Sequence, residues 1–159
     1  MIKINDNFID GISQKAKTSA RRRMNYNYHK EDAALLQRML NAMEPDTYIQ
    51  PHKHESPDKV EVFFVLKGRI LLVEFNDDGE IIDHIILDPK LGNYGGEIPP
   101  RVWHTLICLQ EGSVAYEVKD GPYDPNIDKH FASWAPAEGH PDCEKYNRQI
   151  LASLKCKSV

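Results

Sequence analysis

The chain has 159 residues, of which 41% are hydrophobic and 28% charged, and its formal net charge at pH 7 is −4. This composition is that of an ordinary globular protein, long enough to bury a core without disulfides or a structural metal. A negative net charge gives no reason to expect nucleic acid or an anionic membrane as a partner, so we expect neither. The length predicts one domain over residues 1–159.

Three features of the sequence concern the cellular compartment. The longest apolar run, residues 62–66, is far shorter than the roughly 18 residues that a membrane-spanning helix needs. Residues 1–6 lack the apolar stretch and the small-residue cleavage site of a signal peptide. The cysteines Cys108, Cys143 and Cys156 are odd in number and scattered, which disfavours a disulfide framework or a zinc ribbon. Together these features predict a cytoplasmic location.

The N-terminal part of the chain, residues 1–36, predicts a helix followed by an extended arm. Four apolar residues recur at the spacing of one helical face: Phe8, Ile9, Ile12 and Ala16. This spacing predicts a short amphipathic helix over residues 5–17. Residues 19–29 are polar and have no clear period, and we interpret them as an arm that lies on the main body.

The next segment, residues 32–43, is ambiguous. Its apolar spacing fits a helix, but the segment runs into a turn signal, Pro-Asp-Thr, at residues 45–47. We interpret it as a helical turn at residues 32–36 followed by a strand at residues 37–44.

From residue 48 onward, short apolar runs alternate with turn residues, which is the pattern of an all-β sandwich or barrel. The predicted strands are rich in Val, Ile, Leu, Phe and Tyr and span residues 48–52, 60–66, 69–76, 80–87, 94–98, 105–110 and 114–119. The sequence therefore predicts a β-barrel over residues 37–119, followed by a C-terminal extension over residues 120–159 that contains a helix at residues 142–154.

Three histidines and a glutamate are spaced as ligands of one metal ion. His52 and His54 lie two residues apart at the end of a predicted strand, so their side chains point to the same face. Glu61 opens the next strand, and His104 precedes a later one. Three imidazoles and a carboxylate suit a borderline divalent ion, which leaves Fe, Mn, Ni, Co and Zn open. Glu55 is the competing carboxylate.

The spacing of these residues resembles the two motifs of the cupin superfamily. The first motif reads Gly-x5-His-x-His-x3–4-Glu-x6-Gly, and here both halves match through Gly68, with six residues between His54 and Glu61. The second reads Pro-x-Gly-x-x-His, and residues 99–104 keep that spacing with Arg101 at the glycine position. The distance to Gly68 favours Glu61 over Glu55.

This resemblance implies an all-β cupin fold, a double-stranded β-helix or jelly-roll barrel, with short N- and C-terminal helical extensions. It also implies that one divalent metal ion is bound by four side chains: His52, His54, Glu61 and His104.

A closer resemblance covers nearly the whole chain. Residues 21–25, 37–45, 48–54 and 131–139 are similar to the corresponding stretches of the WbuC-type cupin-fold metalloproteins. The resemblance implies a bacterial cytoplasmic protein, often associated with surface-polysaccharide (O-antigen) gene clusters, without implying a settled reaction.

Several residues are candidates for binding a small-molecule ligand. Arg22 and Arg23 belong to a triple arginine, and Arg101 lies three residues before His104. Guanidinium groups bind phosphate and carboxylate in bidentate fashion, which suggests an anionic carbohydrate. Tyr48 could stack on a sugar ring. The alternative interpretations are a solvated charge run for the arginine arm and core packing for Tyr48.

These residues suggest a metalloenzyme that acts on a sugar or sugar nucleotide in surface-polysaccharide biosynthesis, as an isomerase or epimerase. In such chemistry a metal polarises a carbonyl or a vicinal diol, and a nearby carboxylate or imidazole moves the proton, for which Glu55 and His29 are candidates. An Fe(II) dioxygenase and a non-catalytic sugar-binding or regulatory module are the alternatives. Cupin barrels expose sheet edges, so we also expect a homodimer.

Overall fold

The computed structural model describes residues 1–156, and the last three residues of the expected C-terminal extension, 157–159, lie outside that range. Within it the chain forms two helices, ten strands and a short 3-10 helix at Pro89–Leu91. The bounds of the helices and strands are α1 (Asp6–Thr18), β1 (Arg23–Asn27), β2 (Leu36–Met43), β3 (His52–Lys53), β4 (Glu61–Lys67), β5 (Ile70–Phe75), β6 (Ile81–Leu87), β7 (Gly95–Ile98), β8 (Trp103–Cys108), β9 (Ser113–Asp120), β10 (His130–Phe131) and α2 (Cys143–Ser153).

The strands form two five-stranded sheets in the described part of the chain. The first sheet has the order β1-β2-β9-β4-β7 and the second the order β10-β3-β8-β5-β6, and the strand pairs within them are antiparallel. The predicted helices at residues 5–17 and 142–154 are confirmed as α1 and α2.

The two sheets pack against each other through alternate residues of their strands. Buried side chains from both sheets form one apolar cluster between them: Met43, Phe63, Val65, Ile70, Leu72, Leu87, Ile98, Leu106, Cys108 and Ala115. This cluster fills one end of the space between the sheets, and the other end contains polar and charged side chains.

Each helix covers the outer face of one sheet. Ile9, Ile12 and Ala16 of α1 pack on the first sheet, against Leu40 and Ala42 of β2. On the second sheet, Ile150 of α2 joins buried residues of β5 and β8. The strands beneath the helices are therefore buried on both faces. Their apolar side chains can pack under a helix, and polar side chains can then point between the sheets.

The sequence-based assignment differs from the structure at four places. The helical turn predicted at residues 32–36 is a non-helical turn, and β2 already begins at Leu36. The arm predicted at residues 19–29 contains a regular strand, β1, which pairs with β2 along the edge of the first sheet. The strand predicted at residues 48–52 is reduced to the two residues of β3, because Pro51 has no amide hydrogen with which to continue a ladder. The partner strand β10, which pairs with β3, was not predicted at all.

Candidate metal centre

Three strands bring the four predicted metal ligands together. His52 lies on β3 directly opposite His104 on β8, and Glu61 is the first residue of β4. His54 follows β3 by one residue and points to the same side as His52. The four side chains are buried, and their potential ligand atoms all lie within 4.8 Å of one another.

Each of the three rings is oriented by a backbone carbonyl. A carbonyl oxygen only accepts hydrogen bonds, so the Nδ1 of each ring must carry the proton that it donates. The acceptors are the carbonyl oxygens of Gln50 for His52, at 2.9 Å, of Val102 for His104, at 3.0 Å, and of Asp128 for His54. In neutral rings this leaves the three Nε2 atoms as lone-pair donors, which is the form that binds metal ions.

The contacts of Glu61 with two of these rings fit a bound cation. Its Oε2 lies 2.9 Å from Nε2 of His104, and its Oε1 lies 3.0 Å from Nε2 of His54. Among residues 1–156 the Nε2 atom of His54 has no hydrogen-bond partner of good geometry. Unprotonated Nε2 and carboxylate oxygen both carry lone pairs, so a shared proton or a cation must hold them this close. Two ligand atoms each about 2.1 Å from one ion and at a right angle would lie about 3.0 Å apart.

The protonation states of the cluster are also those of metal ligands. Burial lowers the pKa of His52 well below its ordinary value, and the positive charge of Lys129 lowers it further, so the ring is neutral at pH 7. Burial by itself would raise the pKa of Glu61, but without a metal ion the hydrogen bonds donated by His104 and His54 outweigh that effect and hold the pKa well below the usual range, and a bound cation would act in the same direction. The cluster therefore combines a neutral imidazole at His52 with an ionised carboxylate at Glu61.

A cavity of about 680 Å³ reaches from the cluster towards the N-terminal strand. This volume suits a ligand the size of a sugar or a sugar derivative. Its lining is mixed, and polar residues outnumber apolar ones among the side chains that form it. The lining residues that bear on function are Arg23, His29, Asn41, His52, Glu117, Lys119, Tyr123, Lys129, Phe131 and Glu138.

Charged residues that the sequence analysis missed line the inner end of this cavity. Glu117 accepts a hydrogen bond from the Asn41 amide, and burial, together with the negative charge of Glu61, raises its pKa to about 7. Lys119 lies with its Nζ 2.7 Å from Oδ2 of Asp128 and 3.7 Å from Oε1 of Glu61. The signal available in the sequence was the period-two spacing of Glu117 and Lys119 within the predicted strand 114–119.

The structure does not bring Arg101 into the cavity. Arg101 adopts a left-handed backbone conformation, with φ of 67°, at the position where the second cupin motif has glycine. Its guanidinium pairs with Asp58 at 2.8 Å, and the side chain is 66% exposed. The ligand-binding role expected of Arg101 has no support in this geometry, since the left-handed turn directs the side chain to the surface carboxylate.

Two other residues expected to bind ligand also lie outside the cavity lining. Arg22 pairs with the exposed Asp46 at 2.8 Å. Tyr48 is buried, and its hydroxyl donates to the carbonyl oxygen of Pro136 at 2.7 Å. The core-packing interpretation of Tyr48 therefore fits the structure better than sugar stacking does.

Arg23 is the expected arginine that does line the cavity. Its guanidinium donates to the Tyr48 carbonyl at 2.7 Å and to Glu138 at 2.6 Å, and Arg21 binds the same carboxylate. Glu138 thus neutralises much of the positive charge that the arm presents.

The two residues considered for proton transfer are placed differently from each other. Glu55 pairs with Lys53 at 3.1 Å and lies outside the cluster, so Glu61 is the carboxylate that the structure places among the histidines. His29 lines the outer part of the cavity, where its Nδ1 accepts a hydrogen bond from the Arg38 amide at 3.1 Å.

Solved structures share this fold. The capsular polysaccharide assembling protein CapF from Staphylococcus aureus is 20% identical, with a TM-score of 0.58, over 72% of this chain and 32% of the CapF chain. L-ribose isomerase from Cellulomonas parahominis is 14% identical, with a TM-score of 0.55, over 77% of this chain and 72% of its own. A Shewanella oneidensis protein is 12% identical, with a TM-score of 0.56, over 95% of this chain and 90% of its own.

These similarities confirm the predicted all-β cupin fold, and the chain spans about a third of the length of CapF. No curated protein matches the sequence. No helix among residues 1–156 is long and apolar enough to cross a membrane.

The closer resemblance to the WbuC-type proteins stays a prediction. Residues 4–87, more than half of the chain, match the family described as a domain of unknown function, DUF6016, and the chain belongs to that family.

Proposed function

We propose that this cupin binds one divalent metal ion through His52, His54, Glu61 and His104. The observation that carries the proposal is the orientation of the three rings, whose Nδ1 atoms are occupied by carbonyls while the Nε2 atoms converge on Glu61. The buried Nε2 of His54 has no hydrogen-bond partner among residues 1–156, and a metal ion would accept its lone pair. Imidazole and carboxylate ligands fit Fe, Mn, Ni, Co and Zn alike.

The ligand we propose is a carbohydrate, and the support for it is the cavity beside the cluster. Its volume of about 680 Å³ admits a sugar, and most of the residues that line it are polar. Two aromatic residues with exposed rings, Tyr123 and Phe131, also line it and could pack on a sugar ring. The similarity to CapF and to L-ribose isomerase concerns the fold. It is consistent with a carbohydrate ligand, but the proposal of that ligand rests on the cavity.

The reaction we propose is isomerisation or epimerisation of a sugar or sugar nucleotide, as in surface-polysaccharide biosynthesis. A divalent ion in this site would polarise a carbonyl or hydroxyl oxygen of the sugar. Glu117 is placed to move a proton, because its carboxyl lines the cavity and Asn41 binds only one of its two oxygens. Glu138, by contrast, is held by two arginines.

Hydrogen exchange with solvent tests this reaction directly. Metal-loaded protein is incubated in D2O with a panel of aldoses, ketoses and nucleotide sugars, and deuterium in the carbon skeleton is followed by mass spectrometry. We expect at least one sugar to gain deuterium, and Glu117→Gln to abolish the exchange while metal content stays unchanged. Glu97→Gln, which alters an exposed carboxylate on β7, is the matched control.

The same incubation separates the competing functions. Binding of a sugar without exchange or product would contradict the isomerase proposal and favour a non-catalytic binding module. Oxygen consumption that requires ferrous iron would favour a dioxygenase instead.

A further inference from the structure

Two ammonium groups, those of Lys119 and Lys129, line the cavity near the metal cluster. Burial by itself would lower the pKa of Lys119, but the nearby carboxylates outweigh that effect and raise it, so Lys119 is charged. Lys119, 4% exposed, donates to Oδ2 of Asp128 at 2.7 Å. The next carboxylate oxygen, Oε1 of Glu61, lies 3.7 Å away, which is too far for a hydrogen bond. Lys119 therefore keeps N–H groups that remain available to a ligand in the cavity.

Lys129 is the second of these groups. Its side chain lines the cavity, and among residues 1–156 its ammonium forms no ion pair. The residue as a whole is exposed, while the protein around the ammonium lowers its pKa by desolvation. The charge lies close enough to His52 to lower the pKa of that ring as well. Lys129 thus lines the cavity that contains His52 and has no ion-pair partner in the described part of the chain.

The charged groups at the inner end of the cavity are three lysines and three carboxyl groups. Asp128 is shared between Lys119 and Lys59, whose Nζ lies 2.6 Å from Oδ1. Three ammonium groups therefore face two ionised carboxylates, Asp128 and Glu61. The third carboxyl group, Glu117, has its pKa raised to about 7 by burial and by the negative charge of Glu61, which favours its neutral form relative to an ordinary glutamate. A divalent ion at the cluster would add two further positive charges, so the inner end attracts an anion strongly.

We propose that Lys119 and Lys129 form a subsite for the oxyanion of an acidic sugar, a carboxylate or a phosphate, beside the metal centre. Each lysine would donate a charge-assisted hydrogen bond to that group, and the sugar ring would extend towards Phe131 at the cavity mouth. This subsite takes the role that the sequence had suggested for Arg22 and Arg101. The inference rests on the proposed carbohydrate ligand, and it names the chemical class of that ligand.

Calorimetric titration with three related sugars tests the subsite. D-glucuronate and D-glucose 6-phosphate carry an oxyanion, and D-glucose is their neutral counterpart. We expect at least one of the two anions to bind about tenfold or more tightly than D-glucose. Lys129→Met should remove most of that preference, Lys129→Arg should keep most of it, and Lys145→Met, which alters an exposed lysine of α2, should leave it unchanged. The anion that shows the preference identifies carboxylate or phosphate as the recognised group.

Equal affinity for all three sugars, the absence of binding by any of them, or a preference that survives Lys129→Met would overturn the inference. Metal content, measured on every variant, reports separately on the proposed metal centre. The titrations are repeated after chelation, because the lysines do not need the metal in order to attract an anion. A preference that persists in chelated protein supports the subsite even if the metal proposal fails.

Discussion

At the scale of single residues, the proposed metal centre depends on how the histidine rings are held as much as on which residues are present. The carbonyls that fix His52 and His104 belong to residues two positions earlier in the chain, so these rings are oriented by their own loops. His54 is fixed by the Asp128 carbonyl, 74 residues further along the chain. Losing such a contact frees the ring to rotate and turns the wrong nitrogen towards the metal.

We predict that removing a ligand empties the centre, whereas removing the nearby Glu55 carboxylate does not. His104→Ala and Glu61→Gln should each weaken metal binding by more than about 100-fold, because the first deletes a direct ligand and the second removes the only ligand with a negative charge, whereas the loss of a contact that only orients a ligand costs about 10–100-fold. Elemental analysis after dialysis against a chelator measures the effect. Glu55→Gln is the matched control, since Glu55 pairs with Lys53 outside the cluster. A protein emptied by Glu55→Gln and not by Glu61→Gln would reverse the assignment.

Glu117 gives a pH-dependent prediction for the chelated protein. Its pKa is about 7 in the folded chain against an ordinary value of 4.5, so between these values the folded state holds a proton that the unfolded state has lost. Stability from this group is therefore fully present below pH 4.5 and is lost as the pH rises through 7. A glutamine at this position cannot ionise and keeps an acceptor for the Asn41 amide.

We expect Glu117→Gln to leave stability nearly unchanged at about pH 4.5 and to raise it at about pH 8 by up to about 3 kcal/mol, the equivalent of the pKa difference. Urea denaturation with chelator present, at both pH values, measures the difference. An equal effect at the two pH values would show that the carboxyl titrates normally.

At the scale of secondary structure elements, the sequence predicted the strands better than the direction of their side chains. On β9, Val114, Tyr116 and Val118 alternate with Glu117 and Lys119, and a strand with one buried face would turn the apolar set inward. In the structure α1 and its neighbours cover part of the outer face, so the charged set points between the sheets. The alternating pattern of β9 does not reveal that α1, from the start of the chain, covers the apolar face of this strand.

The glycine of the first cupin motif gives a prediction for the β4–β5 hairpin. Gly68 has φ of +78°, and a Cβ placed there would lie 2.2 Å from Oγ and 2.8 Å from Cα of Ser113. Gly92 has a similar φ of +80° but has no atom within 4 Å of such a Cβ. Substituting Gly92 therefore measures backbone strain alone, whereas substituting Gly68 measures backbone strain and steric overlap together.

Gly92→Ala should cost about 1–2 kcal/mol, the usual penalty for a left-handed non-glycine residue. Gly68→Ala should cost about 1–3 kcal/mol more, since the clash includes backbone that cannot turn aside. Chemical denaturation of both variants measures the two penalties. Equal losses would mean that Ser113 does not restrict this position.

At the scale of the whole molecule, the site depends on contacts between distant parts of the chain. The motifs predicted the cupin barrel and the four clustered ligands, because these are spaced within short strands and hairpins. The C-terminal segment that includes Asp128 and Lys129 was assigned only as an extension, since its contacts with the barrel have no local signature. The homodimer expected from open sheet edges stays a prediction.

Asp128 connects the C-terminal segment to the barrel at three points. Its carboxylate binds Lys59 at 2.6 Å and Lys119 at 2.7 Å, and its carbonyl accepts a hydrogen bond from His54. Lys59 and Lys119 are 2% and 4% exposed. Burial by itself would raise the pKa of Asp128, but the two lysines outweigh that effect and lower it. The carboxylate therefore contributes stability above its ordinary pKa of 3.8, and this contribution is lost as the pH falls through the lower folded value.

Asp128→Asn should destabilise the chelated protein at pH 7 by about 3–5 kcal/mol, because it leaves the buried ammonium of Lys59 without a carboxylate and leaves Lys119 only the more distant Glu61. Adding Lys59→Met should recover part of the loss, since it removes that uncompensated charge. Asp78→Asn, in an exposed turn, is the control and should change stability by less than about 0.5 kcal/mol. Urea denaturation at pH 7 measures the series, and the cost of Asp128→Asn should shrink as the pH falls below 3.8, where the unfolded carboxyl is protonated. A loss as small as that of Asp78→Asn would show that the C-terminal segment is not held to the barrel by this carboxylate, and the lysines of the proposed anion subsite would then lack the support that positions them.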